Sequence, residues 1–136
     1  MLLAALVLAW PSDAAAAARV RWREVKVRPG DDAKRVKRSL TRLLKRATRR
    51  AKWGKGRKKI ELTARVTRLT WQRRNDDVLR VSVTVVARIR GGRRARSFIR
   101  VGGSVKQRRK LEKQALGIVA GGLVTRLAEM VRKERG

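Results

Sequence analysis

The residues of this chain with chemistry to offer are guanidinium groups, and they recur at a fixed spacing. In "LRVSVTVVARIRGGRRARSFIRV", residues 79–101, Arg80, Arg88 and Arg90 share one phase of an alternation, and Arg96 and Arg100 follow the Gly91-Gly92 break. Leu79, Val81, Val83, Val85, Ala87 and Ile89 hold the other phase. A guanidinium presents a planar fork of donors that matches phosphate or carboxylate oxygens and keeps its charge at physiological pH. A row of them suits the holding of an anion, not the transfer of a proton. The chain has no His, no Cys and no Tyr. It therefore lacks the commonest general base, the commonest metal ligand and any Ser–His or Cys–His nucleophile. Its carboxylates have structural explanations. Asp31 and Asp32 stand where a helix begins, and Asp76 and Asp77 lie in a turn. Asn75-Asp76-Asp77 has oxygens for a hard cation, but its composition suits a plain turn better. There is no GxxxxGK[ST] loop and no GxGxxG after a strand. "WGKGRKK" carries glycines and cations, yet it links a helix to a strand instead of opening a helix. No enzyme, no cofactor and no metal are expected.

The arginines need a sheet to carry them. Residues 78–90 and 94–101 alternate apolar and polar, as half-buried strands do, with Gly91-Gly92 as the tight turn between them. Upstream, Ile60, Leu62, Ala64 and Val66 alternate with Glu61, Thr63, Arg65 and Thr67. The phase slips at Arg68, and Leu69 and Trp71 continue it. "QRRNDD", 72–77, closes the hairpin. These three strands form an antiparallel meander. "VRWREVKVR", 20–28, reads as a further strand. Its apolar residues change phase after Trp22, which places a bulge near Arg23 and Glu24.

Two helical patterns complete the chain. Val36, Leu40, Leu43, Leu44, Ala47 and Ala51 recur at the 3.6-residue period across 32–52. Pro29-Gly30 turns the chain before this helix, Asp31 or Asp32 caps it, and Gly54 is placed to end it. A second helix is expected over 105–132 with Leu116, Val119, Leu123, Leu127 and Met130 as its stripe. Gly102-Gly103 ends the sheet before it, and Ser104 with Gln107 fits an S-x-x-Q capping box. Gly117, Gly121 and Gly122 lie inside it, each costing about 1 kcal/mol against Ala. Close approach to a neighbouring element is the expected reason for them.

The expected fold is α+β: a two-layer sandwich in the order β-α-β-β-β-α, with a four-stranded, mostly antiparallel sheet and both helices on one face. The aliphatic phase then faces the helices. Arg65, Arg80, Arg88, Arg90, Arg96 and Arg100 share the uncovered face with Phe98. Two further basic patches are expected. One runs along the first helix and its exit, including Arg42, Lys45, Arg46, Arg49 and Arg50, then Arg57, Lys58 and Lys59. The other opens the last helix, at Lys106, Arg109 and Lys110.

Bulk properties agree with one domain and an anionic partner. The 136 residues allow a single modest core, and 43% of them are hydrophobic. Lys and Arg number 39 against 10 Asp and Glu, a formal charge of +29. Such a field draws nucleic acid, anionic lipid headgroups or acidic glycans without choosing among them. Arg-favouring codon usage raises the same residue count. The opening "MLLAALVLAWPSDAAAAARV" reads as a secretory signal: an apolar core from Leu2 to Trp10, a break at Pro11-Ser12-Asp13, and A-x-A cleavage sites in Ala14–Ala18. No Lys or Arg precedes that core, and a buried N-terminal helix is the other reading. The run is shorter than the roughly 20 residues a spanning helix needs. The expected division is residues 1–18 as signal and 19–136 as one basic domain, exported to the periplasm or beyond, with no transmembrane span.

The layout from Arg19 to Arg132 resembles the small α+β domains of bacterial envelope proteins such as the lipopolysaccharide-assembly lipoprotein family. That resemblance implies an envelope binding or assembly role. The lipobox Cys of that family has no counterpart here, so no lipid anchor is expected. The α-β-β-β-α order from Asp32 onward also resembles a double-stranded RNA-binding domain, with "LRVSVTVVARIRGG" as its second strand and "GGSVKQRRKLEKQAL" opening its last helix. By that resemblance Lys106, Arg109 and Lys110 would grip phosphates. "WQRRNDD" lacks that family's Gly-Pro and His. The expected partner is an anionic envelope component or an envelope protein, with nucleic acid as the alternative.

Overall fold

The computed structural model describes residues 19–30, 32–56 and 58–135. The signal expectation for 1–18, the capping role of Asp31 and the placement of Arg57 lie outside the described residues.

The chain runs β1 (Val20–Lys26), α1 (Ala33–Arg50), β2 (Ile60–Arg73), β3 (Val78–Ile89), β4 (Arg94–Ser104), a 3-10 turn (Val105–Gln107) and α2 (Arg108–Arg135). The expected β-α-β-β-β-α order is observed. The four strands form one sheet in the order β1-β2-β3-β4. β2, β3 and β4 are the antiparallel meander, and β1 joins the free side of β2 in parallel. Parallel pairing follows from the connection: α1 and the loop after it return the chain to the end of the sheet from which β1 started.

Both phase slips seen in the sequence are register shifts. One falls between Trp22 and Glu24 in β1, the other between Val66 and Arg68 in β2. Each extra residue restores the alternation, so Val20 and Trp22 face the same side as Val25, and Val66 the same side as Leu69 and Trp71. That inner side holds the core. Leu79, Val81, Val83, Val85, Ala87 and Ile89 are all buried, as are Val36, Leu40 and Leu44 of α1 and Leu116, Val119, Leu123 and Leu127 of α2. Burying each Val, Leu or Ile side chain among these stabilises by roughly 1.5–3 kcal/mol before the entropy of ordering is counted. α2 packs on β3 and β4, and α1 packs on α2 and β1. By length and composition α2 with its 3-10 turn, Val105–Glu134, could cross a membrane, but half of its apolar window is buried inside this fold.

Four local expectations are corrected. Asp32 occupies the N-cap of α1 but its side chain makes no capping bond; its carboxylate instead accepts from Arg35 Nη1 at 2.9 Å. α1 ends because Ala51 is extended, three residues before Gly54. Gly54 (φ +81°) serves the loop: a Cβ there would meet Arg132 Cγ at 3.1 Å. β4 continues through Gly102 and Gly103 to Ser104, and Leu111 of α2 fills the space a Cβ on Gly103 would take. Among the described residues, Gly122 in α2 has a close neighbour, Ser97 Oγ at 3.4 Å, whereas Gly117 and Gly121 have none within 4 Å. Ser104 does cap the 3-10 turn, accepting from the Lys106 amide.

The basic loop after α1 is held from inside. Trp53 is fully buried and its indole N–H donates to the Thr48 carbonyl at 2.9 Å. The loop's own carbonyls are taken by cations: Arg19 donates to Gly54 and Gly56, and Arg132 donates to Lys52. Between the helices, Arg35 donates to both carboxylate oxygens of Glu112 at 3.3 and 3.0 Å. Glu112 is buried within the helix pair.

Candidate functional site

The face of the sheet turned away from the helices is built by one alternation and three registers. Lys26 lies beside Arg65, Arg65 beside Val86, and Val86 beside Arg96. One step along the sheet, Glu24 lies beside Thr63, Thr63 beside Arg88, and Arg88 beside Arg94. In the other direction Arg68, Thr84 and Phe98 make a row, then Thr70, Ser82 and Arg100, then Gln72, Arg80 and Gly102. With strands about 4.8 Å apart, the outer arginines of neighbouring rows fall within the span of a small multivalent anion.

Arg65, Arg88, Arg96 and Arg100 are exposed here, and Arg80 is half-buried. The structure thus brings these five sequence-predicted residues onto one surface. Arg90, just past β3, belongs to the same end but is engaged: its Nη1 donates to Glu61 at 2.7 Å. That bond, with Arg23 a further 3.7 Å away, holds the Glu61 carboxyl below its usual range. Arg100 lies over the Phe98 ring at 5.8 Å and donates to Ser82 Oγ at 3.3 Å. Phe98 itself is 47% exposed, beside the guanidinium row.

Two pairs on this face oppose like charges directly across adjacent strands, Lys26 with Arg65 and Arg88 with Arg94. Such pairs are unfavourable without an anion between or above them. Glu24 lies 3.8 Å from Lys26 and relieves the first. The same region forms a shallow groove of about 420 Å³, lined by Lys26, Arg65, Arg88 and Arg94 with Thr63 and Thr67. Arg94 and Lys26 were missed in the sequence reading. Arg94 was legible, because it shares the phase of Arg96. Lys26 was not, because its neighbour Arg65 is set by the parallel pairing of β1.

The other predicted cations are placed elsewhere. Arg46, Arg49 and Arg50 are exposed on α1, and Lys58 and Lys59 on the loop after it. Arg46, Arg49 and Arg50 belong to the helix layer, and Lys58 and Lys59 to the loop that enters β2. Lys106, Arg109 and Lys110 are exposed where β4 passes into α2. Asn75 Oδ1 accepts from the amides of Asp77 and Val78, so Asn75-Asp76-Asp77 is a turn. Among the described residues no cluster of three His, Cys, Asp or Glu has metal-holding geometry.

No protein-family model matches the chain, and no curated protein matches it. Solved structures do. The chain is similar in fold to a candidate lipoprotein from Caulobacter crescentus CB15, with a TM-score of 0.54 and 11% identity over 90% of this chain and 94% of that one. It also aligns with a minor lipoprotein from Acinetobacter baumannii at a TM-score of 0.36 and 14% identity, over 85% of this chain and 95% of that one. The first likeness establishes a shared fold; the second score is too low to build on.

Proposed function

We propose that this protein is an exported, non-enzymatic binding or assembly domain of the bacterial cell envelope, and that its arginine face contacts an anionic envelope component. The observation that carries the reading is the composition of the uncovered sheet face. Arg65, Arg80, Arg88, Arg94, Arg96 and Arg100 share it, and Glu24 and Glu61 are the carboxylates its strands contribute. Glu61 is already held by Arg90. A field of fixed guanidinium groups over a rigid sheet binds phosphate-bearing surfaces without conformational change, and Phe98 adds an apolar contact from its edge strand β4. The signal-like N-terminus supports export. The fold shared with a candidate lipoprotein of Caulobacter crescentus supports an envelope setting.

The test is co-sedimentation of the full chain with vesicles carrying phosphatidylglycerol, and retention on immobilised lipopolysaccharide, both at physiological salt. The expected result is retention by both, none by neutral vesicles, and loss when Arg65, Arg88 and Arg96 are all replaced by Glu. Absence of retention overturns the reading. Tighter binding to duplex RNA than to either, weakening steeply with salt, assigns the protein to nucleic acid instead.

A further inference from the structure

β1 stops at Lys26, but its neighbour β2 runs on to Arg73. The last pair between them is Lys26 with Arg65. From Thr67 to Arg73, about 23 Å of strand at its usual rise, the side of β2 away from β3 has no strand beside it among the described residues. The peptide groups there have a definite direction. Arg74 N–H donates to Val78 O across the hairpin at 2.9 Å. Antiparallel alternation then turns the N–H and C=O groups of Leu69, Trp71 and Arg73 outward, to the open edge.

The chain leaving β1 and the first turn of α1 stand off from this edge. Between them lies a groove of about 520 Å³. Its apolar lining includes Val27, Pro29, Val36, Leu69 and Trp71. Arg28, Arg68, Arg96 and Arg108 add four positive charges, and the Arg108 guanidinium lies 4.5 Å from the centre of the Trp71 ring. The acid in the lining, Asp32, is already ion-paired with Arg35.

We propose that this groove docks an extended acidic segment of a partner protein, which adds as a strand along Leu69–Arg73. An open edge supplies backbone donors and acceptors, and alternate side chains of the added strand drop into the apolar lining. The four arginines select carboxylates on the other phase. A second copy of this chain does not suit the groove: each copy carries +29, and its own free edge strand, β4, bears Arg94, Arg96 and Arg100. A lipid surface supplies no peptide groups. The groove borders the arginine face and shares Arg68 and Arg96 with it, but the proposal stands apart from that reading, because strand addition needs the open peptide groups of Leu69–Arg73.

The probe is a blocked peptide of alternating Val and Glu, about as long as the open edge, added to the full chain. Its control is the same peptide N-methylated at alternate residues, which keeps the charge but cannot pair as a strand. Backbone amide exchange is followed by NMR. The expected result is slowing by about tenfold at Leu69, Trp71 and Arg73 with the first peptide only. Replacing Arg28 and Arg68 together by Glu weakens the complex about tenfold, roughly 1.4 kcal/mol; replacing Arg88 and Arg94 by Glu leaves that protection pattern in place. Equal binding of the two peptides, or protection along β4 in place of β2, overturns the proposal.

Discussion

At the scale of single residues, the most consequential polar contact is one that serves the fold. Glu112 is only 5% exposed, and its two oxygens are taken by Arg35 from the other helix. Hydrogen bonds from Arg35 to Glu112, and then to Asp32, raise the guanidinium pKa further. A buried pair of this kind has an asymmetric energetic signature: removing one partner strands a charge, whereas replacing both by apolar groups of similar volume costs little. Arg35 is 38% exposed, so water shares part of its charge. Arg35→Ala is therefore expected to lower stability by about 2 kcal/mol, below the 3–5 kcal/mol of a fully sealed pair. The double variant Arg35→Met, Glu112→Leu is expected to match or exceed the unmodified protein. Urea denaturation of the three proteins checks this. A double variant as unstable as Arg35→Ala shows that the pair contributes beyond its desolvation cost.

At the scale of elements, the glycines of α2 separate two roles that look alike in sequence. Gly122 lies against Ser97, but among the described residues nothing fills the space where a Cβ on Gly117 or Gly121 would go. With no steric demand, each costs the helix its ordinary backbone entropy. Gly117→Ala and Gly121→Ala are each expected to raise stability by about 1 kcal/mol, read as a higher denaturation midpoint with an unchanged slope. Gly103→Ala is the contrasting case, because Leu111 Cδ1 lies 3.1 Å from the added methyl; it is expected to destabilise. A loss of stability at Gly117 or Gly121 means that those positions face something in the folded state.

The same elements show what the sequence discloses and what it hides. Alternation from Leu79 to Ile89 and the slips at Trp22 and Arg68 are local facts, so strands, bulges and the inner face were legible. The arginine face was legible with them, since Arg65, Arg80, Arg88, Arg96 and Arg100 are simply the other phase. What was hidden depends on contacts distant in sequence. Trp53 reads as part of a basic loop, yet it is a core side chain anchored to Thr48. Arg35 and Glu112 lie 77 residues apart, and no period links them. The open edge of β2 exists because β1, paired in parallel with β2, stops at Lys26, a length mismatch that no single segment shows.

At the scale of the whole molecule, the charge lies on two surfaces. The arginine face lies on the outer side of the sheet. A second basic surface, including Lys37, Arg38, Lys45 and Arg49, runs along the solvent side of α1 and meets the first at the β1 edge, where Lys37 lines a groove with Lys26 and Arg65. A flat, rigid polyanion meets one of these at a time; a flexible chain that wraps the domain meets both. The two geometries give different mutational signatures. On phosphatidylglycerol vesicles, replacing Arg65, Arg88 and Arg96 by Glu is expected to abolish retention, while Lys45→Glu with Arg49→Glu leaves most of it. On heparin, a flexible polyanion, both sets are expected to lower the salt concentration of elution, roughly in proportion to the three and two cations they replace. Each Glu adds its own repulsion, so parallel sets with Gln separate lost contact from new repulsion. Vesicle binding that falls more with the α1 set than with the sheet set moves the membrane-facing side to the helix layer. In that case the sheet arginines guard an exposed face against aggregation.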